Sequence, residues 1–293
     1  MNIIVVGNGM MGKERIRAIN TLNEKIIAVL DVGDTLTVEL LNKADWVFVC
    51  TPPDASADII RNIRQCHKSD VKILVEKPYL GECLDINVGY NYRFLKGVNR
   101  LLSDGIRGRF GNIISVNMVL AMGDSPDAKD SWRLDPLRTG GGVMIDLGVH
   151  LIDLAMILSE GRLKHVKSFN WDGFWCKGGE EETHLLARDG KVPYNIQVSK
   201  VRWRSNFSIE VNGTDGYGIV EGRNRHFGNQ TYRVGNRWAW MDGKSQKDTE
   251  KVVVNYDGED SFIEETRAVL YGTDSFIHPA TAEENLRNIK FIT

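Results

Sequence analysis

Two side chains four residues apart could form a proton acceptor and its partner. Asp146 and His150 fall in a predicted helix, and this spacing places both on one face of it. A carboxylate beside an imidazole fixes the tautomer of the ring and raises its basicity, which suits a group that takes a proton from a hydroxyl. The alternative is a capped helix with one satisfied histidine and a solvated acidic edge. A metal would need a third or fourth ligand, which the sequence does not offer, so we expect no metal.

A lysine is the second candidate for chemistry. The segment Glu76-Lys77-Pro78 follows the apolar run 71–75, which is typical of a buried strand. Ligands of open α/β sheets bind outside the carboxyl ends of the strands, so Lys77 is expected to face a bound ligand. An ammonium there can hydrogen-bond a hydroxyl and stabilise negative charge that develops on oxygen. The alternative is a solvated surface pair of Glu76 and Lys77.

Three glycines form a candidate phosphate-binding turn. They follow the pattern Gly7-x-Gly9-x-x-Gly12 after a β-branched run, and Asp31 lies 19 residues beyond Gly12, at the end of the next apolar run. In this context the pattern is typical of a dinucleotide site, in which the helix N-terminus binds the phosphates. Asp31 would bind the ribose hydroxyls of NAD and repel the 2′-phosphate of NADP. The alternative is a glycine turn in an α/β protein that binds no nucleotide.

Alternating strands and helices are predicted to position these residues. Four apolar runs indicate buried strands: 3–6, 26–30, 46–50 and 71–75. Helical patterns follow the first and third runs, at 13–21 and 55–66. This alternation predicts a parallel α/β sheet. The stretch between Asp31 and Trp46 is too short for the usual helix, strand and helix, so we expect one strand to be missing, and residues 80–87 are too short for a further helix.

After about Arg93 the pattern changes to strands in series. Six stretches indicate strands between Gly, Asp and Asn turns: 113–120, 166–174, 183–187, 195–201, 207–211 and 217–220. One strong helix is predicted at 143–158, and two late helices at 262–270 and 282–291. Strands in series predict an open, mostly antiparallel sheet in an α+β domain. The predicted division is a nucleotide-binding α/β domain over residues 1–93 and a substrate-binding and oligomerisation domain over residues 94–293.

The order of these motifs resembles that of the Gfo/Idh/MocA oxidoreductases, the family of glucose–fructose oxidoreductase and inositol dehydrogenase. The glycine turn, Glu76-Lys77-Pro78 and the block from Gly140 to Asp153 occur in that order, with Trp132-Arg133 before the block, and the likeness extends to Thr51-Pro52-Pro53 and residues 89–93. The resemblance implies an N-terminal Rossmann domain and a C-terminal open-sheet domain. It also implies hydride transfer between a nicotinamide and a hydroxyl-bearing carbon of a sugar, nucleotide-sugar or cyclitol.

The resemblance further implies roles for individual residues. Lys77 would orient substrate and cofactor, His150 would act as the acid and base, and Asp146 would support His150 or bind substrate. The predicted substrate-binding residues are Arg93, Trp132, Arg133, Asp146 and His150. The predicted cofactor-binding residues are Gly7, Asn8, Gly9, Met10, Met11, Gly12, Asp31, Thr51, Pro52, Glu76 and Lys77. The cofactor would be NAD, with NADP less favoured.

The chain departs from the family pattern in its N-terminal part. Family members usually carry a histidine shortly after the Thr-Pro turn, where Ser56 stands here. We expect the shortened stretches after Asp31 and after residue 80 to affect the affinity for the adenosine part of the cofactor more than the chemistry. Lys77, Asp146 and His150 are retained.

The main expectation is an NAD(P)-dependent dehydrogenase or reductase that acts on CH–OH groups. Two alternatives stay open: a non-catalytic NAD- or sugar-binding protein that kept the fold, and an enzyme that holds its NAD tightly and recycles it. Arginines near the site can hold a phosphate or a carboxylate, and Trp132 can stack on a sugar. The residues therefore leave open a free sugar, a cyclitol, a nucleotide-linked sugar or a biliverdin-like acid.

Composition narrows the class of protein. The 293 residues are 42% apolar and carry a net charge of −2, which excludes a mainly disordered chain and gives no electrostatic case for nucleic acid or an anionic membrane. The sequence shows neither the pattern of a signal peptide nor an unbroken run of about 18 apolar residues. We therefore expect a cytoplasmic protein with a small, sugar-like substrate. An open sheet leaves a face to cover, so a homo-oligomer through the second sheet is expected.

Overall fold

A parallel sheet forms the N-terminal part of the molecule. The structure, a computed structural model, describes residues 1–66, 70–124, 131–238, 250–258 and 260–293. Within these ranges the first strands are β1 (Asn2–Val6), β2 (Lys25–Leu30), β3 (Trp46–Val49), β4 (Lys72–Glu76) and β5 (Asn87–Gly89). The helices between them are α1 (Met10–Thr21), α2 (Val38–Leu41) and α3 (Pro53–Cys66). The strands lie in the order β5-β4-β3-β1-β2, and all of these pairs are parallel.

Burial on both faces explains the sequence of these strands. Ile3, Ile4 and Val5 are fully buried although they point to alternate faces of the sheet, as expected for a parallel sheet covered on both sides. Residues 31–45 are all described and contain only α2, so the missing strand is confirmed. Residues 77–86 likewise contain no helix, also as predicted.

A second, larger sheet follows. Its strands are β6 (Ile113–Gly123), β7 (Lys164–Trp171), β8 (Glu182–Asp189), β9 (Val192–Ser199), β10 (Val201–Gly213), β11 (Gly216–Glu221), β12 (Gln230–Asn236) and β13 (Glu250–Tyr256). They lie in the order β13-β12-β11-β10-β6-β9-β8-β7. Every pair is antiparallel except β6 with β9, which run parallel. The predicted fold class is therefore confirmed, and the carboxyl ends of β6 and β9 meet at one edge of this sheet.

Helices cover the inner face of the second sheet and carry part of the site. They are α4 (Lys96–Ile106), α5 (Pro136–Thr139) and α6 (Val149–Leu158). The helix predicted at 143–158 is not uniform, because Met144–Gly148 forms a π-helical turn before α6 begins. The segment Pro136–Leu158 is long and apolar enough to span a membrane by length and composition, but most of it is buried inside the protein.

The last segment of the chain returns to the first sheet. Helix α7 (Ser261–Tyr271) packs against α1, strand β14 (Ala280–Thr281) pairs antiparallel with β5, and α8 (Ala282–Ile292) ends the chain. Thr281 caps α8, since its hydroxyl accepts from the amide of Glu284, whose carboxylate accepts from the amide of Thr281. Both late helices are present as predicted. The predicted domain boundary at residue 93 stays a prediction.

Candidate active site

One carboxylate joins two lysines that come from different sheets. Lys77 follows β4 directly, and Lys200 follows β9 directly. Lys77 Nζ donates to the backbone carbonyl of Asp146 and lies 3.2 Å from its Oδ1 atom. Lys200 Nζ lies 2.8 Å from Oδ2 of Asp146. The three residues therefore form one ionic network where carboxyl ends of strands from both sheets come together, as expected for a ligand site.

The network keeps Asp146 ionised. Burial by itself would raise the pKa of this carboxyl, but the ammonium groups of Lys77 and Lys200 hold the pKa well below its usual range. Burial lowers the pKa of Lys77 from its usual value, and the charge of Asp146 opposes that shift. An ionised Asp146 thus holds the ammonium of Lys77 in place.

His150 is a buried imidazole held between aromatic rings. Its ring stacks on Tyr92, with 3.9 Å between ring centroids and 7° between planes, and it meets the ring of Tyr90 edge-on at 5.9 Å. Burial, with further contributions from Lys77 and Arg223, lowers the pKa of His150 well below its usual value. Its Nδ1 atom is buried and makes no hydrogen bond to any described residue. The ring is consequently neutral near pH 7 and fixed by packing.

The predicted support of His150 by Asp146 stays a prediction: the charge of Asp146 raises the pKa of His150, against the larger lowering by burial. Among the described residues no hydrogen bond joins the two, because both carboxylate oxygens of Asp146 face ammonium groups. The π-helical turn Met144–Gly148 contains Asp146, and its wider winding changes the angle between residues four apart. Two charged partners also compete better for a carboxylate than a neutral imidazole does.

The glycine turn has the shape that a pyrophosphate needs. Gly7 has φ +97°, and a Cβ atom there would lie 2.9 Å from the backbone of Cys50. A Cβ on Gly12 would lie 1.9 Å from the Gly7 carbonyl oxygen, whereas one on Gly9 would meet nothing within 4 Å. No side chain caps the N-terminus of α1 and no acidic residue lies in its first turn. The turn is thus closely packed at Gly7 and Gly12 and open at Gly9, where phosphates would approach.

The other predicted cofactor residues lie along the same edge of the first sheet. Asn8, Met10 and Met11 belong to the turn and to the start of α1, and Asp31 is exposed directly after β2. Thr51 and Pro52 follow β3, and the buried Oγ1 atom of Thr51 makes no hydrogen bond to a described residue. A polar atom without a partner at this edge is consistent with a dinucleotide contact.

Glu76 takes part in a structural ion pair, and its predicted contact with the cofactor stays a prediction. Its Oε1 atom accepts from Nε of Arg15 at 2.7 Å, and Arg15, which is fully buried, also pairs with Glu265 at 2.6 Å. Burial raises the pKa of Glu265 to about 7, and the charge of Glu76 adds to the rise while Arg15 opposes it. Glu76 is therefore engaged in a buried network that ties the end of β4 to α1 and α7, one residue before Lys77.

Arg93 is also used structurally. Its Nε and Nη2 atoms bind both carboxylate oxygens of Asp153, at 2.7 and 2.6 Å, and Nη1 donates to the carbonyl of His278 at 2.9 Å. All three nitrogens are thus occupied by protein groups, and the predicted contact of Arg93 with substrate is not supported. Trp132 and Arg133 do reach the site: Lys200 Nζ donates to the Arg133 carbonyl at 3.0 Å, and the Arg133 guanidinium lies 5.4 Å from the Trp132 ring.

Replacing Arg93 by methionine is expected to lower the free energy of unfolding by about 3–5 kcal/mol, because it leaves the buried carboxylate of Asp153 without its cation. Unfolding in urea measures the loss. Arg61→Met, which removes an exposed ion pair with Asp58, serves as the control and should cost no more than about 1 kcal/mol. Unchanged stability together with a raised KM for substrate would instead place Arg93 in the binding site.

Sequence reasoning missed three charged residues that the structure brings to the site. Lys200 and Asp124 directly follow the parallel strands β9 and β6, and Arg223 lies two residues after β11. Burial raises the pKa of Asp124, and its buried Oδ2 atom makes no hydrogen bond to a described residue. The available signal was a single polar residue at a strand end, which is too common to select these three. Within the described ranges, no three His, Cys, Asp or Glu side chains lie close enough to hold a metal ion.

Comparisons with known proteins agree with this architecture. Residues 100–218 match the family model for the GFO/IDH/MocA C-terminal domain. The chain is 27% identical to glucose-6-phosphate 3-dehydrogenase of Bacillus subtilis (strain 168) and 26% identical to inositol 2-dehydrogenase of Rhizobium meliloti (strain 1021), over 53% of this chain and 53% of each relative. It therefore spans about half the length of the curated relatives that it matches. The crystal structure of an inositol dehydrogenase homolog complexed with NAD+, from Azotobacter vinelandii, has a similar fold, with a TM-score of 0.72 at 16% identity, and the match covers 100% of this chain and 93% of that one.

Proposed function

The resemblance of this chain to the Gfo/Idh/MocA oxidoreductases is confirmed, and from it we propose that the protein is an NAD-dependent dehydrogenase or reductase. Its substrate would be a sugar, nucleotide-sugar or cyclitol, oxidised or reduced at a hydroxyl-bearing carbon. One observation carries this proposal: the ammonium of Lys77 lies 3.2 Å from Oδ1 of Asp146, four residues before the buried His150. Lys77 follows β4, at the edge of the first sheet that also bears the glycine turn.

The chain's own groups would supply position and proton transfer. In the oxidative direction, His150 accepts the hydroxyl proton of the substrate on a ring nitrogen. Lys77 hydrogen-bonds the same oxygen and stabilises the negative charge that develops on it. Asp146 holds the Lys77 ammonium in place. A bound nicotinamide supplies the hydride acceptor.

The cofactor would be held by the glycine turn, the N-terminus of α1 and the loop after β3. The exposed carboxylate of Asp31 lies at the end of β2, where it favours the free ribose hydroxyls of NAD over the 2′-phosphate of NADP. The close packing at Gly7 and Gly12 and the open space above Gly9 support this placement.

Gly9→Ala tests the cofactor site. The added methyl meets no protein atom, so the variant should fold normally, yet it should weaken NAD binding about tenfold or more because it blocks the approach of the pyrophosphate. Titration calorimetry with NAD measures the effect. Asn20→Ala, an exposed change on the same helix, is the control and should bind NAD as the wild type does. Wild-type affinity in Gly9→Ala would place the pyrophosphate elsewhere.

A turnover assay tests the proposed reaction. NAD or NADP is mixed with glucose, myo-inositol or UDP-N-acetylglucosamine, and the appearance of reduced nicotinamide is followed by absorbance. We expect turnover of at least one of these polyols with NAD, and its loss in Lys77→Met. A protein that binds NAD but turns over no polyol of these classes would favour the non-catalytic alternative.

We also infer a homo-oligomer formed through the second sheet, in the cytoplasm. The edge strand β7 exposes large apolar side chains, with Val166, Phe169 and Trp171 each about half exposed or more. Large apolar side chains exposed on an edge strand are typical of an interaction site. Light scattering on the purified protein measures the subunit number, and a monomer at micromolar concentration would contradict the inference.

A further inference from the structure

Charged side chains of both signs lie around the candidate active site. Four basic residues lie at or beside it: Lys77, Lys200, Arg133 and Arg223. The acidic residues around them are Asp146, Asp124 and Glu76, and Glu180 and Glu181 line the cavity that Arg133 and Lys200 also line. Glu76 pairs with Arg15, and Glu180 and Glu181 accept hydrogen bonds from backbone amides. The carboxylate of Asp146 is shared by both lysines, so it neutralises only one of them. In the part of the chain that the structure describes, neither Arg133 nor Arg223 has an ion pair with a carboxylate.

Strand direction places Arg223 at the edge of the second sheet that also bears Lys200, one of the two lysines that bind Asp146. Strand β11 is antiparallel to β10, which is antiparallel to β6, so β11 and β6 end at one edge. Arg223 follows the end of β11 as Asp124 follows β6. Its guanidinium lies 5.0 Å from the centroid of Tyr92, the ring on which His150 stacks. Arg223 thus flanks His150, whereas Arg133 flanks Lys77 and Asp146.

The guanidinium of Arg223 is incompletely satisfied by the protein. It packs on two rings, those of Tyr92 and Phe227, and its buried Nε atom makes no hydrogen bond to a described residue. Arg225, two residues later, shows the ordinary alternative, since it pairs with Glu14 at 2.6 Å. Buried donors without an acceptor are rare in folded proteins, so the retention of this one beside the site calls for an acceptor from outside the chain.

We propose that Arg223 binds an oxyanion carried by the substrate, which makes the substrate a polyol that bears a phosphate or a carboxylate. The inference rests on the proposed function and narrows its substrate class. A planar guanidinium matches two oxygens of either group and stays charged at all relevant pH values. Partial burial strengthens the attraction relative to bulk water. The guanidinium of Arg133, which has no ion pair with a carboxylate among the described residues, attracts the same oxyanion.

Matched ligands test the proposal on the NAD-saturated protein. Calorimetry compares glucose with glucose 6-phosphate and with glucuronate, and inorganic phosphate serves as the oxyanion alone. We expect at least one charged sugar to bind about tenfold or more tightly than glucose, with phosphate competing against it. Tighter binding of glucose 6-phosphate identifies a phosphate as the oxyanion, and tighter binding of glucuronate identifies a carboxylate. Arg223→Gln should abolish this preference, while Arg225→Gln should keep it.

Several results would overturn the proposal. Equal affinity of the wild type for glucose and both charged sugars, or no binding of any of these ligands, removes the oxyanion site. Retained preference in Arg223→Gln removes Arg223 from it. Weaker NAD binding in Arg223→Gln with the sugar preference intact would assign Arg223 to the cofactor instead. Failure of the proposed function is distinguished beforehand, because it shows as absent NAD binding in the titration that precedes the sugars.

Discussion

His150→Ala is expected to lower kcat by about 10²- to 10⁴-fold and to leave NAD affinity within about twofold of the wild type. The loss follows because no other neutral imidazole lies beside Lys77 in the described part of the chain, and water must then accept the hydroxyl proton. NAD binding survives because the glycine turn lies on a different element, at the start of α1. Stopped-flow or steady-state absorbance of reduced nicotinamide measures kcat.

A matched histidine separates chemistry from general damage. His165 is exposed on the edge strand β7, and His165→Ala should leave both kcat and NAD affinity unchanged. Turnover by His150→Ala at the wild-type rate would remove His150 from proton transfer. Loss of NAD binding in the same variant would indicate that the cavity left beside Tyr92 disturbs the fold, and His150→Gln would then be compared.

The dependence of kcat/KM on pH in the wild type also tests the roles of His150 and Lys77. Oxidation requires neutral His150, whose pKa lies well below the usual value near 6.5, so the acidic fall in kcat/KM should come below pH 6.5. It also requires charged Lys77, whose pKa is lowered from about 10.5, so the alkaline fall should come below pH 10.5. Both limbs are thus displaced to lower pH than the free side chains would give. An acidic limb above pH 6.5 would contradict a buried neutral imidazole.

Lys77→Met is expected to lower kcat at least about 10²-fold, because it removes the ammonium that stabilises charge on the substrate oxygen. Methionine keeps most of the length of the side chain, and Asp146 retains its second ion pair with Lys200, so the carboxylate is not left unpaired. We therefore expect the variant to fold and to bind NAD. Single-turnover measurements with saturating substrate report the chemical step.

Lys72→Met is the control for Lys77→Met. Lys72 begins the same strand, β4, and is exposed at its opposite end. This variant should keep the wild-type kcat. If Lys77→Met also keeps it, the lysine has a structural role only, and the proposed mechanism loses its electrostatic component.

Much of the fold could be predicted because its strands carry their own signals. The β-branched runs that form β1, β3 and β4 are buried on both faces, so their sequences are continuous and apolar. Strands β12 and β13 were not predicted, since β13 is an exposed edge strand and β12 is mixed in polarity. The parallel pairing of β6 with β9 inside an otherwise antiparallel sheet could not be predicted either. The local sequence does not indicate which strands pair, because pairing depends on tertiary contacts.

The site could be predicted in part for the same reason. Lys77 and His150 were singled out by motifs, and the structure brings them together. The site could not be predicted in full because the ion-pair partners of charged residues come from distant parts of the chain. Arg93 pairs with Asp153, Arg15 pairs with Glu76, and Lys200 pairs with Asp146. The spacing of Asp146 and His150 indicated a pair only for a regular α-helix, and the π-helical turn before α6 changes that geometry.

The most direct test of the account is a calorimetric titration of the wild-type protein with NAD and NADP, each in its oxidised and reduced forms. The account predicts saturable binding of NAD and its reduced form at one site per chain, with weaker binding of the 2′-phosphorylated forms because of Asp31. Binding of none of the four nucleotides, by protein that carries no copurified nicotinamide, would contradict the oxidoreductase assignment.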